Sequence, residues 1–243
     1  MIGDASGSEH LSTAYENSDE LACIRLIHWG AIYGRLRGEQ LGAAPFRRME
    51  SIDKIDPLLE EFAKVKQELF TKLSQAKQAT NEKGLNDQFI RVIAKDFQKF
   101  CRDFDRRFIE TFDTLSPHQQ LTICKEIGAT YQQKSLSNPI LVHYLKLPSS
   151  VVDDVRSLEL TESKRFMEAT KGLTGFPPQI PEHVIRDLVQ GQIRALKPLN
   201  QDQLLVFLRL IGDAREGETI RAWLNRQEKV KELYLIELPC LKQ

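Results

Sequence analysis

"LSPHQQLTICKEIG", residues 115–128, and "LNQDQLLVFLRLIG", residues 199–212, carry Leu, Gln, Leu, Ile and Gly in the same slots. In the first stretch Ser116 precedes Pro117, and Gln119 stands where a capping box needs it, so the spacing predicts a helix beginning at Pro117. In the second, Asn200 is the matching cap. Each stretch ends on a glycine, Gly128 or Gly212, which reads as a helix stop. Extended backwards at the same offset, residues 100–128 lie over residues 184–212. The shared frame then includes Arg102 and Arg186, Asp103 and Asp187, and Ile109 and Ile193. Both copies describe one unit: a helix, a turn at leucine, a capped second helix and a glycine. Two origins give that pattern, duplication of a helical unit or the grammar that any two capped helix hairpins share.

The rest of the chain speaks the same language. Apolar residues recur with a period near 3.6, short polar or proline-containing breaks separate them, and no run alternates as a strand does. The reading is an all-α fold, a multi-helix bundle of roughly eight to ten helices containing the repeated helix-turn-helix unit. Helices are predicted over about 19–37, from Asp56 as cap with Pro57 first, over about 86–114, from Ser116, from Pro181 to about 196, from Asn200, and over about 218–235. Shorter pieces are "NPILVHYLKL", "SSVVDDVRSL" and "TESKRFMEATKG". The stretch "GLTGFPPQIPE" cannot continue a helix through its prolines. The expected organisation is therefore a flexible tail over 1–17, a bundle over 18–171, a Pro/Gly-rich break over 172–180 and a C-terminal helical unit over 181–243, packed separately or with the bundle.

The turn of the first copy, "IETFDTLSPHQQL", resembles a phrase of the helical carotenoid-binding domain in the cyanobacterial orange carotenoid protein family. The resemblance rests on Ile109, Phe112, Leu115, Ser116, Gln120 and Leu121. It implies an all-α domain that is itself a pseudo-repeat. This chain continues as "TICKEIG", where the family carries the aromatics that flank its pigment. The resemblance therefore assigns no pigment-binding residue here.

Composition narrows the function by exclusion. Lys and Arg total 34 and Asp and Glu total 34, so no global field draws the chain to nucleic acid or an anionic membrane. Cys23, Cys101, Cys124 and Cys240 are far apart and form no CxxC, which points to free thiols and a cytoplasmic setting rather than a disulfide framework or zinc site. The N-terminal stretch lacks the pattern of a signal peptide, and the most apolar run, "LLVFLRLIG", is too short for a membrane span.

Phosphate loops, HExxH, EF-hand and GxSxG motifs are absent. "SIDK", Ser51 to Lys54, has the SxxK form of serine acyl-enzymes without its companion elements, and Ser51 is read as a turn cap. His28 has no second histidine one turn away. His10, His118, His143 and His183 are scattered, and Glu-x-x-His, which di-iron bundles require, does not occur. The pairs Glu60-Glu61 and Asp153-Asp154 are read as solvated or first-turn carboxylates. No catalytic residue, metal ligand or cofactor is assigned.

Two surfaces remain. Along the helix over 86–114, Phe89, Ile93, Phe97, Phe100, Phe104, Phe108 and Leu115 form one stripe. Opposite them Arg91, Lys95, Lys99, Arg102 and Arg106 fall within an arc of roughly 80°. That ridge is a solvated face, or a grip for phosphates or an acidic protein surface, with Asp96, Asp103 and Asp105 at its border. The helix over 19–37 is apolar nearly all round, so Leu21, Ile24, Trp29 and Tyr33 face either a core or a partner. The function expected is a non-enzymatic protein-interaction or adaptor role. The alternatives are a nucleic-acid-associated accessory protein using the ridge, and a carrier of a small apolar ligand between helices.

Overall fold

The computed structural model describes residues 52–79, 87–171 and 180–242. Among the described residues there are nine α-helices, two 3-10 helices and no strand, so the all-α architecture and helix number expected from periodicity are observed. The expectations for the tail over 1–17, the helix over 19–37 with Leu21, Ile24, Trp29 and Tyr33, and the break over 172–179 fall outside the described residues. The chain divides into two compact units, Met1–Gln120 and Leu121–Gln243.

In the first unit α1 (Asp56–Ala79) packs on α2 (Asp87–Phe112). A turn precedes α1, in which the N–H groups of Ile55 and Asp56 donate to the Ile52 carbonyl at 2.7 and 3.1 Å. Asp56 is therefore already helical and Pro57 second, one residue later than the cap reading placed them. The apolar stripe of α2 is the core. Phe97, Cys101, Phe104, Phe108 and Phe112 are buried, and Phe62 of α1 sits among the rings, 5.1 Å from Phe104 and 6.1 Å from Phe100. Burying each such ring contributes about 2 to 3 kcal/mol. At the edge of this core Arg107 donates two hydrogen bonds of 2.8 Å to Glu61, a forked pair joining the two helices.

α3 (Pro117–Tyr131) begins with the capping box that its sequence specifies. The Ser116 N–H donates to Gln119 Oε1 at 3.1 Å, and the Gln119 N–H donates to Ser116 Oγ at 3.4 Å. The Gln120 amide closes the turn by donating to the Phe112 carbonyl at 2.9 Å. Phe112, Leu115, Ser116 and Gln120, four of the residues in the quoted carotenoid-family phrase, thus have a local job in shaping this hairpin.

The second unit continues from α3 through a 3-10 turn (Gln132–Ser137) to α4 (Pro139–Tyr144), α5 (Ser150–Thr170), α6 (Glu182–Arg194), α7 (Gln201–Leu210), α8 (Ile220–Arg226) and α9 (Lys231–Glu237), with a last 3-10 turn at Pro239–Leu241. α5 packs on the first 3-10 turn and on α6, and α6 packs on α9. Its core includes Ile123, Ile127, Leu141, Leu196, Leu204, Phe207 and Trp223.

Three readings need correction here. "SSVVDDVRSL" and "TESKRFMEATKG" are one helix, because the Thr161 hydroxyl bonds back to the Ser157 carbonyl at 2.9 Å within α5 instead of capping a new start. The helix expected over 218–235 is two. Thr219 caps α8, the chain turns at Gln227, and the fold brings Trp223 edge-on to Tyr234 with ring centres 4.8 Å apart. Finally, Gly128 does not end α3, which runs on to Tyr131. A Cβ at Gly128 would lie 2.6 Å from the Leu210 carbonyl oxygen, so this glycine permits close approach between α3 and the end of α7.

Gly212 does end its helix. It has φ +77°, its N–H donates to the Arg209 carbonyl, and the Asp213 N–H donates to the Leu208 carbonyl at 2.8 Å. This is the paired bonding of a left-handed helix terminus. Asp213 is then held in place. Its carboxylate accepts from Trp223 Nε1 at 3.0 Å, and its carbonyl accepts from Arg226.

Candidate interaction surface on the second helix

The geometry of α2 follows from its sequence. Phenylalanines at three- and four-residue spacing turn one side inward, which leaves the opposite side in solvent. Lys95, Lys99, Arg102 and Arg106 are all exposed on that side. Arg91 lies on the same helix, but its side chain is outside the described residues. The four described cations are not equivalent. Arg106 stands 3.6 Å from Glu110 and 3.9 Å from Asp103, so its charge is shared with two carboxylates. Lys95, Lys99 and Arg102 hold no ion pair among the described residues. Asp105, expected at the border of the arc, is buried.

One residue of this face was missed by reading charge alone. Val92 is 53% exposed, one of four large apolar side chains left in solvent among the described residues. At 100° per residue it falls beside Lys99 and within about 80° of Arg102. The signal was in the sequence, three residues before Lys95. The surface is therefore a cationic stripe with an apolar contact at its N-terminal end. Each exposed cation contributes about 0.2 to 1 kcal/mol to a partner contact, while covering a valine adds about 1.5 kcal/mol.

Behind the stripe the helix is held by Arg107. The Arg107 guanidinium beside Glu61 keeps that carboxyl below the usual carboxylate range, with partial burial opposing it. Glu61 is thus not the solvated carboxylate that its pairing with Glu60 suggested. No sequence signal links it to Arg107, because the two belong to different helices.

The remaining candidates for chemistry are occupied otherwise. Lys54 of "SIDK" donates to the Thr114 hydroxyl at 3.2 Å, beside the C-terminal end of α2, and Ser51 lies outside the described residues. Among the described residues no group of three or more His, Cys, Asp or Glu side chains is placed to hold a metal ion. Burial pushes the Cys124 thiol well above the ordinary thiol range and raises Cys240 as well, so neither supplies a thiolate nucleophile at neutral pH. His118 and His183 sit exposed in the first turns of α3 and α6. Among the described residues no helix is long and apolar enough to cross a membrane. No family model, curated protein or solved structure matches the chain.

Proposed function

We propose that this protein is a non-enzymatic helical adaptor or accessory subunit that docks an acidic, partly apolar protein segment along the exposed face of α2. The observation that carries this reading is the exposed Val92 beside Lys95, Lys99 and Arg102, which hold no ion pair among the described residues. A valine has no favourable role against phosphates, whereas an acidic amphipathic helix offers carboxylates for the cations and a side chain to cover the valine. The charges set orientation and encounter rate, and the apolar contact adds residence time. The buried thiols of Cys101 and Cys124, neither of them in a disulfide, support a reducing, cytoplasmic setting.

The test is fluorescence anisotropy of a labelled acidic amphipathic peptide, alongside DNA and RNA duplexes, against the full chain. Val92→Asp and the pair Lys99→Glu with Arg102→Glu should each weaken peptide binding about tenfold or more while leaving helical content unchanged. A turnover abolished by one side-chain change would overturn the non-enzymatic reading.

The nucleic-acid reading draws on the same three exposed cations. It requires affinity that falls steeply with salt, with a logarithmic slope of about −3 for three phosphate contacts, and indifference to Val92→Asp. No binding of either duplex at low salt would remove it.

A further inference from the structure

A cleft of about 480 Å³ lies between α5 and α6, lined by Glu162, Arg165, Glu168, Ala169, His183, Val184, Asp187 and Leu188. Two features show that its lining is built around a carboxylate. Glu162 is only 8% exposed, and its Oε2 is buried with no hydrogen-bond partner. Opposite it stands Gly191, where a Cβ would come within 2.4 Å of the Glu162 carboxyl carbon, so any larger residue would displace that group.

A buried carboxylate oxygen without a donor is costly, and the cost is recovered when a cation or donor arrives. Among the described residues lining the cleft, Arg165 and His183 are the basic side chains; Arg165 sits 3.3 Å from Glu162 Oε1 and is itself largely exposed, leaving Oε2 unmet. Glu168 and Asp187 add two exposed carboxylates to the lining. Arg194, on the same helix as Gly191, is engaged by Glu237 at 3.1 Å.

We infer that this cleft binds an alkyl cation, a primary ammonium or guanidinium on an aliphatic stem, with its charged head at Glu162. Ala169, Val184 and Leu188 provide the apolar wall along which such a stem lies. The absence of any metal-competent cluster among the described residues separates this site from one for a bare divalent ion. The chemistry is shared by two sources, a lysine or arginine side chain of a partner protein and a free polyamine.

The experiment is calorimetric titration of the full chain with spermidine, with a blocked Gly-Lys-Gly peptide and with its norleucine counterpart. Saturable binding of spermidine, of the lysine peptide or of both supports the site and tells the sources apart. Glu162→Gln should weaken that binding about tenfold, and Asp187→Asn, at an exposed position, about threefold. If Glu162→Gln loses helical content, Asp187→Asn decides alone. The proposal is overturned if neither cation saturates the wild-type chain, if the norleucine peptide binds as well as the lysine peptide, or if the folded variants bind as the wild type does.

Discussion

The two copies of the repeated stretch use one hairpin and finish it differently. In both, the leucine at the turn donates its N–H back to a matched apolar residue, Leu115 to Phe112 at 3.1 Å and Leu199 to Leu196 at 3.0 Å. In both, a glutamine three residues after the cap completes a capping box. In the second copy Gln203 also reaches out, donating to the Leu145 carbonyl at 2.8 Å. The copies part at their last shared residue. Gly212 is needed for its positive φ, with nothing near its missing Cβ, whereas Gly128 is needed for space, with the Leu210 carbonyl pressed against it. Identity at a position is thus no guarantee of identity of role.

Alanine substitution should separate those roles most strongly. Gly128→Ala forces a Cβ into backbone that cannot swing aside and should cost about 2 to 3 kcal/mol even after its gain in helix propensity. Gly212→Ala meets open space and should cost about 1 kcal/mol, from the left-handed conformation alone. Urea denaturation of both variants checks the order, and a larger loss for Gly212→Ala would break the comparison. The caps come next. Asn200 accepts its N–H at 2.9 Å and Ser116 at 3.4 Å, so Asn200→Ala should cost about 1 kcal/mol and Ser116→Ala about half of that.

The leading helix of each copy is tied to a neighbour by an Arg–Glu pair, Arg107 to Glu61 and Arg194 to Glu237. The Arg194 guanidinium first, and then the Gln190 amide, hold Glu237 below the usual carboxylate range, as Arg107 holds Glu61. Carboxyl groups with lowered folded values contribute stability above the ordinary value near pH 4.3, and lose it as pH falls through the lowered one. Stability should therefore decline below about pH 4, and Glu61→Gln and Glu237→Gln should each flatten that decline. An unchanged acid profile in both variants would show that the pairs are incidental. The smallest effect concerns α4, which ends like α7 but with Lys146 at φ +58° in the place of a glycine. The Leu147 N–H completes the motif by donating to the Val142 carbonyl at 2.9 Å. Lys146→Gly should raise the thermal midpoint slightly, with a gain of about 0.5 kcal/mol.

What could be read from sequence was local. Ser116, Asn200 and the stripe residues Phe97, Phe104 and Phe108 act within one or two turns of their own position, and the structure places them as expected, while the side chain of Phe89 lies outside the described residues. The features missed depend on residues far away in the chain. Thr161 is the exception, a residue that resembles a helix start but whose hydroxyl bonds back to Ser157 within one long helix. The turn at Gln227 is accompanied by the contact of Trp223 with Tyr234, and Gly128 is shaped by Leu210. The candidate surface was more legible than the core contacts behind it. A solvent-facing ridge, like the sharing of Arg106 with Glu110 one turn away, needs only helical geometry, whereas the Arg107 fork to another helix needed coordinates. Val92 lies on the ridge by the same geometry, an apolar residue among charges.

The most direct test of the docking surface is photo-crosslinking in the native host with a photoreactive side chain placed at Lys99, and a control placed at the exposed Val206 of α7. The account expects a discrete protein adduct at Lys99 that survives nuclease, is absent from the control and is lost when Val92→Asp is added. A nuclease-sensitive adduct, or the same adducts at both positions, would contradict it.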